Sequence, residues 1–171
     1  MQRIVVLGVS AGVGKSTFAR QLGAKLTLPV TYLDRLYFEP GWKEVSEEVF
    51  QQRQAEVCVQ RAWIIEGNYS KTLSLREAHA DTIIYLELPL LVCLGRVVKR
   101  RINFHQQTRP ELGVGCPEKM DWEFLKYIVT TYNRRKFNMR NRMNRYEREG
   151  KEVIRLFSRR QIQEYLQKEF P

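Results

Sequence analysis

Long apolar runs are missing from this chain: no stretch approaches the roughly 18 residues that a membrane-spanning helix needs, so no such helix is expected. Cysteine is scarce. Cys58, Cys93 and Cys116 are odd in number, widely spaced, and form neither a CxxC pair nor a cluster with His79 or His105. That pattern argues against a disulfide framework and a structural zinc, and leaves the three thiols as packing residues. Internal repeats, low-complexity tracts and linkers are also lacking. With 171 residues, 43% of them hydrophobic, the chain reads as one domain over residues 1–171, since a domain usually takes about 100–200 residues. The N-terminal residues read as an apolar strand, not a leader, so a cytoplasmic location is expected.

Charge is present in excess but unevenly. Residues 1–95 hold 10 Lys/Arg against 10 Asp/Glu, residues 96–148 hold 14 against 5, and residues 149–171 hold 5 against 4. Of the net charge of +10, residues 96–148 therefore carry +9. Such a segment suits a polyanion, a membrane surface or the phosphates of a nucleotide, and charge alone does not choose among them.

Short β-branched apolar runs recur at residues 4–7, 29–33, 63–65, 82–86 and 153–157. Being nearly unbroken in apolarity, they fit strands covered on both faces, which predicts a five-stranded parallel sheet in an α/β fold. Helical spacing separates them. Ser46 is a candidate N-cap for a helix over residues 46–61, and the stretch after Asp121 reads as one or two helices ending near Gly150. Pro110, Gly113, Gly115 and Pro117 punctuate residues 104–120, which read as a flap or lid.

Directly after the first strand comes Gly8-Val9-Ser10-Ala11-Gly12-Val13-Gly14-Lys15-Ser16-Thr17, followed by a helical run. It resembles the Walker A motif of P-loop NTPases. Gly12, Val13, Gly14, Lys15, Ser16 and Thr17 would wrap phosphates with backbone N–H groups at a helix N-terminus, Lys15 would meet the β- and γ-phosphates, and Ser16 would help hold Mg²⁺. In the GxxxxGK[ST] spacing the first glycine falls at position 9, where this chain has Val9, with Gly8 one residue early. Asp34, at the end of the second strand, lies where open α/β sheets bind ligands, and a carboxylate there can orient or deprotonate an accepting hydroxyl. Capping or pairing with Arg35 is its other use. Tyr37 and Trp42 could stack on an acceptor ring or fill the core, and Asn68, Tyr69 and Arg76 could bind the acceptor.

The stretches Tyr32-Leu33-Asp34-Arg35-Leu36-Tyr37-Phe38-Glu39-Pro40-Gly41-Trp42, Glu66-Gly67-Asn68-Tyr69-Ser70, Arg96-Val97-Val98-Lys99-Arg100-Arg101, Thr108-Arg109-Pro110 and Gly115-Cys116-Pro117-Glu118 look like the topology modulation proteins of bacteria, an adenylate-kinase-like branch of the P-loop proteins. The resemblance runs from Ile4 to about Leu166. It implies a three-layer P-loop NTPase fold with sheet order 2-3-1-4-5, a lid, and binding of ATP with Mg²⁺. It further implies that Arg96 stacks on adenine and Arg100 clamps phosphates, that Arg109 closes over the transferring group with Arg134 or Arg135 nearby, and that Ser158 and Arg159 border the adenine. Glu66 stands where the family is expected to have aspartate, and would reach Mg²⁺ through water.

A Mg²⁺- and ATP-dependent kinase acting on a nucleotide, nucleoside or other small hydroxylated acceptor accounts for these features together. A DNA-associated protein using ATP as a switch draws support from the basic segment, but no helix-turn-helix or zinc-finger pattern is present, so nucleic acid is not the favoured partner. An ATP-binding protein with only slow hydrolysis is the third reading.

Overall fold

The computed structural model describes residues 1–104, 111–118 and 121–168. Its centre is β1 (Arg3–Gly8), flanked in a parallel sheet by β5 (Trp63–Glu66) and β6 (Thr82–Leu86). β2 (Val30–Tyr32) pairs outside β5, and β7 (Glu152–Leu156) outside β6. Every residue of β5 and β6 is buried, as the unbroken apolar runs require of strands covered on both faces. Counting these five strands alone, the order is 2-3-1-4-5. From β1 the chain goes to the edge strand β2, returns to place β5 between them, then crosses β1 to build the other side. A reversal of this kind opens a crevice at the carboxyl ends of the strands, where ligands of such sheets bind.

The covering helices are α1 (Lys15–Leu26), α3 (Glu47–Cys58), α4 (Leu73–His79), α5 (Leu90–Asn103), α6 (Trp122–Arg148) and α7 (Arg159–Gln167). Phe18, Ala19 and Leu22 of α1, and Tyr132, Met139, Met143 and Tyr146 of α6, enter the core with the strands. Ser46 caps α3 as the sequence suggests, its Oγ accepting the Val49 N–H at 3.3 Å. Asp121 caps α6 in the same way, accepting from Phe124 N at 2.7 Å, so the stretch after it is one continuous helix. All three cysteines are buried and free. Among the described residues no helix is long and apolar enough to cross a membrane.

Two elements escape the periodicity. β2 stops at Tyr32, and a short helix α2 (Leu33–Tyr37) follows, so Asp34 sits in the first turn of α2 and not on the strand. A two-stranded hairpin, β3 (Phe38–Glu39) with β4 (Lys43–Glu44), comes next. Its turn is anchored to the expected lid region, where Gly41 N donates to Gly115 O (2.9 Å), Trp42 Nε1 to Pro117 O (2.9 Å) and Cys116 Sγ to Glu39 O (3.3 Å). Of the lid, Arg109 and residues 105–110 and 119–120 lie outside the described residues.

α1 meets β2 through a glycine. A Cβ at Gly23 would lie 2.3 Å from Val30 Cγ2 and 3.0 Å from the Leu28 carbonyl oxygen. Helix propensity favours alanine by about 1 kcal/mol, while overpacking against a stiff valine and a backbone oxygen costs about 1–3 kcal/mol. We predict that Gly23→Ala lowers stability by about 1 kcal/mol, read as a lower urea midpoint at unchanged slope; a raised midpoint would contradict this packing.

Candidate functional site

The turn from β1 into α1 is pressed between the sheet and α5. Val9 is fully buried and its N–H donates to Leu86 O at 2.9 Å, so it prolongs the β1–β6 pairing and takes no part in the turn itself. The side-chain-free position falls on Gly8, where a Cβ would lie 2.8 Å from both Cγ and Cδ of Lys15. The lysine stem packs on that bare backbone. At Gly12, with φ of 76°, a Cβ would come within 2.2 Å of the Cys93 carbonyl oxygen in α5. Gly14, with φ of 102°, is the N-cap of α1, where no side chain caps the helix and no acid occupies the first turn. Unclaimed first-turn amides, the positive end of the helix dipole and Lys15 together suit a polyanionic ligand.

The Ser16 hydroxyl donates to Glu66 Oε2 at 3.0 Å, and Lys15 Nζ stands 3.7 Å from Glu66 Oε1. A hydroxyl beside a buried carboxylate is a donor set that a hard divalent cation accepts. No group of three or more His, Cys, Asp or Glu gathers among the described residues, so these two oxygens fit Mg²⁺ only where water and phosphate complete its shell.

Across the cleft, Tyr69 donates its phenol to Asp34 Oδ1 at 2.8 Å. Burial, and after it the Asp34 carboxylate, push the Tyr69 pKa far up, so the phenol stays a proton donor. Its ring packs on Tyr37 and Phe50, with centroids 5.1 and 4.9 Å away, and its backbone φ is 26°. The cleft has a volume of about 1560 Å³; Trp42 and Phe38 line it beside Asp34, and Thr17, Asn68 and Tyr69 also reach it.

Three sequence expectations need correction. Arg76 is fully buried and does not line the cleft; its guanidinium is spent on Gln54, Thr72 and the carbonyls of residues 67–69. Burial lowers its pKa to about 10, which leaves it charged at neutral pH. Tyr37 lines a separate cavity of about 180 Å³ and donates to Glu44 at 2.7 Å. Ser158 caps α7, accepting from Gln161 N at 3.1 Å, and only its neighbour Arg159 reaches the cleft.

The remaining arginines arrive from α5 and α6. Arg96 Nη1 donates to Val13 O at 2.8 Å, tying α5 to the phosphate loop, and burial followed by nearby Arg159 lowers its pKa. Arg100 Nε donates to Glu118 Oε1 at 2.6 Å. Lys99, Arg134 and Arg135 line the same wall. Glu118, only 4% exposed, was not anticipated; an acid in a Pro/Gly-punctuated segment carries no periodic signal. Arg20 and Glu111 also reach the cleft unforeseen.

No protein-family model matches the sequence, and no curated protein matches it. Among solved structures, the shikimate kinase of Bacteroides thetaiotaomicron is similar with a TM-score of 0.54 at 21% identity, covering 97% of this chain and 94% of that one. The shikimate kinase of Acinetobacter baumannii, solved with shikimate, gives 0.50 at 16% identity over 98% and 90% of the two chains. An unliganded sugar kinase of Janibacter sp. gives 0.50 at 15% identity over 97% and 92%. The fold is the kinase-like P-loop α/β fold.

Proposed function

We propose that the chain is a Mg²⁺- and ATP-dependent phosphotransferase that acts on a small hydroxylated acceptor. One observation carries the reading: a side-chain-free phosphate cradle ending in Lys15 and Ser16 opens onto the same cleft as a carboxylate, Asp34, held by a phenol. Gly12 to Thr17 would hold the triphosphate, with Arg96 and Arg159 at the nucleotide end of the cleft. Ser16 directly, and Glu66 through water, would hold Mg²⁺, which supplies charge neutralisation to the phosphates when bound. Asp34 would orient the acceptor hydroxyl and take its proton as the new P–O bond forms. Lys15 and Arg100 would meet the negative charge that moves to the leaving oxygens, Arg109 being assigned the same duty from sequence. Arg100 would have to trade Glu118 for phosphate to do so.

Phe38 and Trp42 offer ring faces on the acceptor side, which suits a ring-bearing alcohol. With Arg76 turned into the core, it is not available there as an acceptor ligand. The kinase-like neighbours support phosphoryl transfer, and the resemblance to the topology modulation proteins supports ATP as the donor. The DNA-associated reading is weakened because Arg140 and Lys136 pair with Glu87, and Arg142 and Arg145 with Glu77. A slow ATPase would have the same cradle with an idle Asp34.

A screen of nucleosides, nucleotides and other alcohols with MgATP tests the reading. Lys15→Ala should weaken MgATP binding about 100-fold, the worth of a charge-assisted contact, whereas Asp34→Asn should keep the affinity and lose about 10²–10⁴-fold in turnover. Undiminished turnover in Asp34→Asn would remove the base, and MgATP binding with no acceptor turned over would favour the slow ATPase.

The cradle itself makes a separate prediction. Gly8→Ala pushes a methyl into the Lys15 stem, so calorimetry with tripolyphosphate should show affinity reduced about 10-fold. The thermal midpoint should fall as well, because the atom nearest to that methyl is Cγ1 of the buried, β-branched Val13, at 2.6 Å. Unaltered affinity would mean that Lys15 does not reach the anion along this path.

A further inference from the structure

The loop after β5 binds three separate parts of the molecule. The Asn68 amide makes a reciprocal pair with the backbone of Gly8, accepting from Gly8 N at 3.0 Å and donating to Gly8 O at 2.8 Å. The next residue, Tyr69, holds Asp34. Thus adjacent side chains of one loop grip the start of the phosphate cradle and the carboxylate on the acceptor side.

The loop is held from beneath by Arg76. Its Nη2 donates to Asn68 O at 2.9 Å, to Gly67 O at 3.4 Å and to Tyr69 O at 3.5 Å, while Nη1 donates to Thr72 Oγ1 at 3.0 Å and to Gln54 Oε1. Thr72 in turn donates to Gln54 Oε1 at 3.1 Å and its N–H to Tyr69 O at 3.1 Å. Among the described residues no carboxylate forms an ion pair with Arg76. A fully buried cation whose Nη atoms meet only neutral oxygens, and whose Nε finds no acceptor, is an expensive way to stabilise a fold. It is suited to fixing a backbone of irregular shape, and the shape is irregular here: φ is 142° at Gly67, where a Cβ would strike Leu33 at 2.8 Å, and 26° at Tyr69. Non-glycine residues hold such conformations only where their surroundings impose them.

We propose that Asn68, Tyr69 and Arg76 form a positioning tie that sets the distance and angle between the phosphate cradle and Asp34. It acts through Gly8 and Asp34 and, resting on the phosphotransferase reading above, keeps donor and acceptor aligned for in-line transfer. The three residues that the sequence offers as acceptor ligands thus act behind the reacting groups. Asn68 serves the nucleotide side and Tyr69 the acceptor side, while Arg76 serves both.

This division of labour predicts a split that a purely structural role would not produce. With the full-length chain, MgATP affinity is measured by calorimetry and ADP formation is measured at saturating MgATP, with and without the acceptor found by the screen. Asn68→Ala should weaken MgATP about 10-fold and also lower acceptor-dependent ADP formation at saturation, because the cradle is no longer held in register with Asp34. Tyr69→Phe should leave MgATP affinity within about twofold and lower ADP formation about 10-fold, since only the donor to Asp34 is lost. Arg76→Lys should impair both, because one ammonium cannot reach the six oxygens that the guanidinium meets; thermal unfolding shows whether that variant folds, and the other two carry the test if it does not. Equal losses of affinity and rate in Tyr69→Phe, or unchanged affinity in Asn68→Ala, would overturn the tie while acceptor-dependent ADP formation by the wild type leaves the phosphotransferase reading standing. A wild-type chain that binds no MgATP would overturn both.

Discussion

The turn between β1 and α1 must pass beneath α5 with nothing projecting into the gap, and the rest of the site follows from that constraint. At Gly12 the space a side chain would need is held by the Cys93 carbonyl, and at Gly8 it is held by the Lys15 stem. Glycine at these two places lets the chain turn from strand to helix in a tight arc. The arc ends on a helix with neither a capping side chain nor an acid in its first turn. α3, α6 and α7 each cap themselves with a serine or aspartate, whereas α1 leaves that place open at the mouth of the cleft. The sheet reversal at β1 brings α2 and the loop after β5 to the same edge, so a carboxylate and an anion cradle share one crevice by topology.

Charge is arranged around that crevice in two roles that the sequence does not distinguish. Part of the basic excess of residues 96–148 neutralises acids contributed by earlier parts of the chain. Arg140 and Lys136 meet Glu87 just after β6, and Arg142 and Arg145 meet Glu77 in α4. These pairs fasten α6 to the sheet and to α4. The other part, Arg96, Lys99, Arg134 and Arg135, lines the cleft. A segment that reads as a polyanion surface is therefore divided between holding the fold and facing a small anionic ligand. Two of the acids that line the cleft meet partners there: Glu66 meets Lys15 and Ser16, and Glu118 meets Arg100.

Much of this was legible in the sequence, and the failures have a common cause. Five apolar runs gave the five strands, because burial on both faces leaves an unbroken signature. The glycines and Lys15 marked the cradle, because backbone approach to an anion excludes side chains. Ser46 marked a helix start. By contrast α2 and the β3–β4 hairpin are too short to show a period, and the hairpin's shape depends on Glu39, Gly41 and Trp42 meeting residues 115–117, far away in sequence. Direction was the other loss. Tyr37, Arg76 and Ser158 each sit next to a residue or turn that does reach a cavity or the cleft, but a motif fixes only the position of a residue along the chain. Which way its side chain points is decided by packing: Tyr37 turns to Phe50, Ser158 to its own helix, and Arg76 to the core.

Arg76 is the least readable of these because burial of an arginine runs against the ordinary partition of residues. An apolar side chain of similar volume would avoid the desolvation of a guanidinium. It would also take the guanidinium donors away from the carbonyls of Gly67 and Asn68, in a loop whose dihedral angles no strand or helix could satisfy. One side chain with donors fanned in a plane can serve several such oxygens at once. The cation is thus tolerated in the core because the loop must be irregular. The loop must be irregular because consecutive residues have to present Asn68 to Gly8 and Tyr69 to Asp34. In a regular strand neighbouring side chains point to opposite faces of the sheet, and the left-handed bend at Tyr69 is what departs from that alternation. The stability forgone at Arg76 and the backbone strain at Tyr69 are two parts of the same cost, and both are incurred where the phosphate cradle and the acceptor carboxylate are brought together.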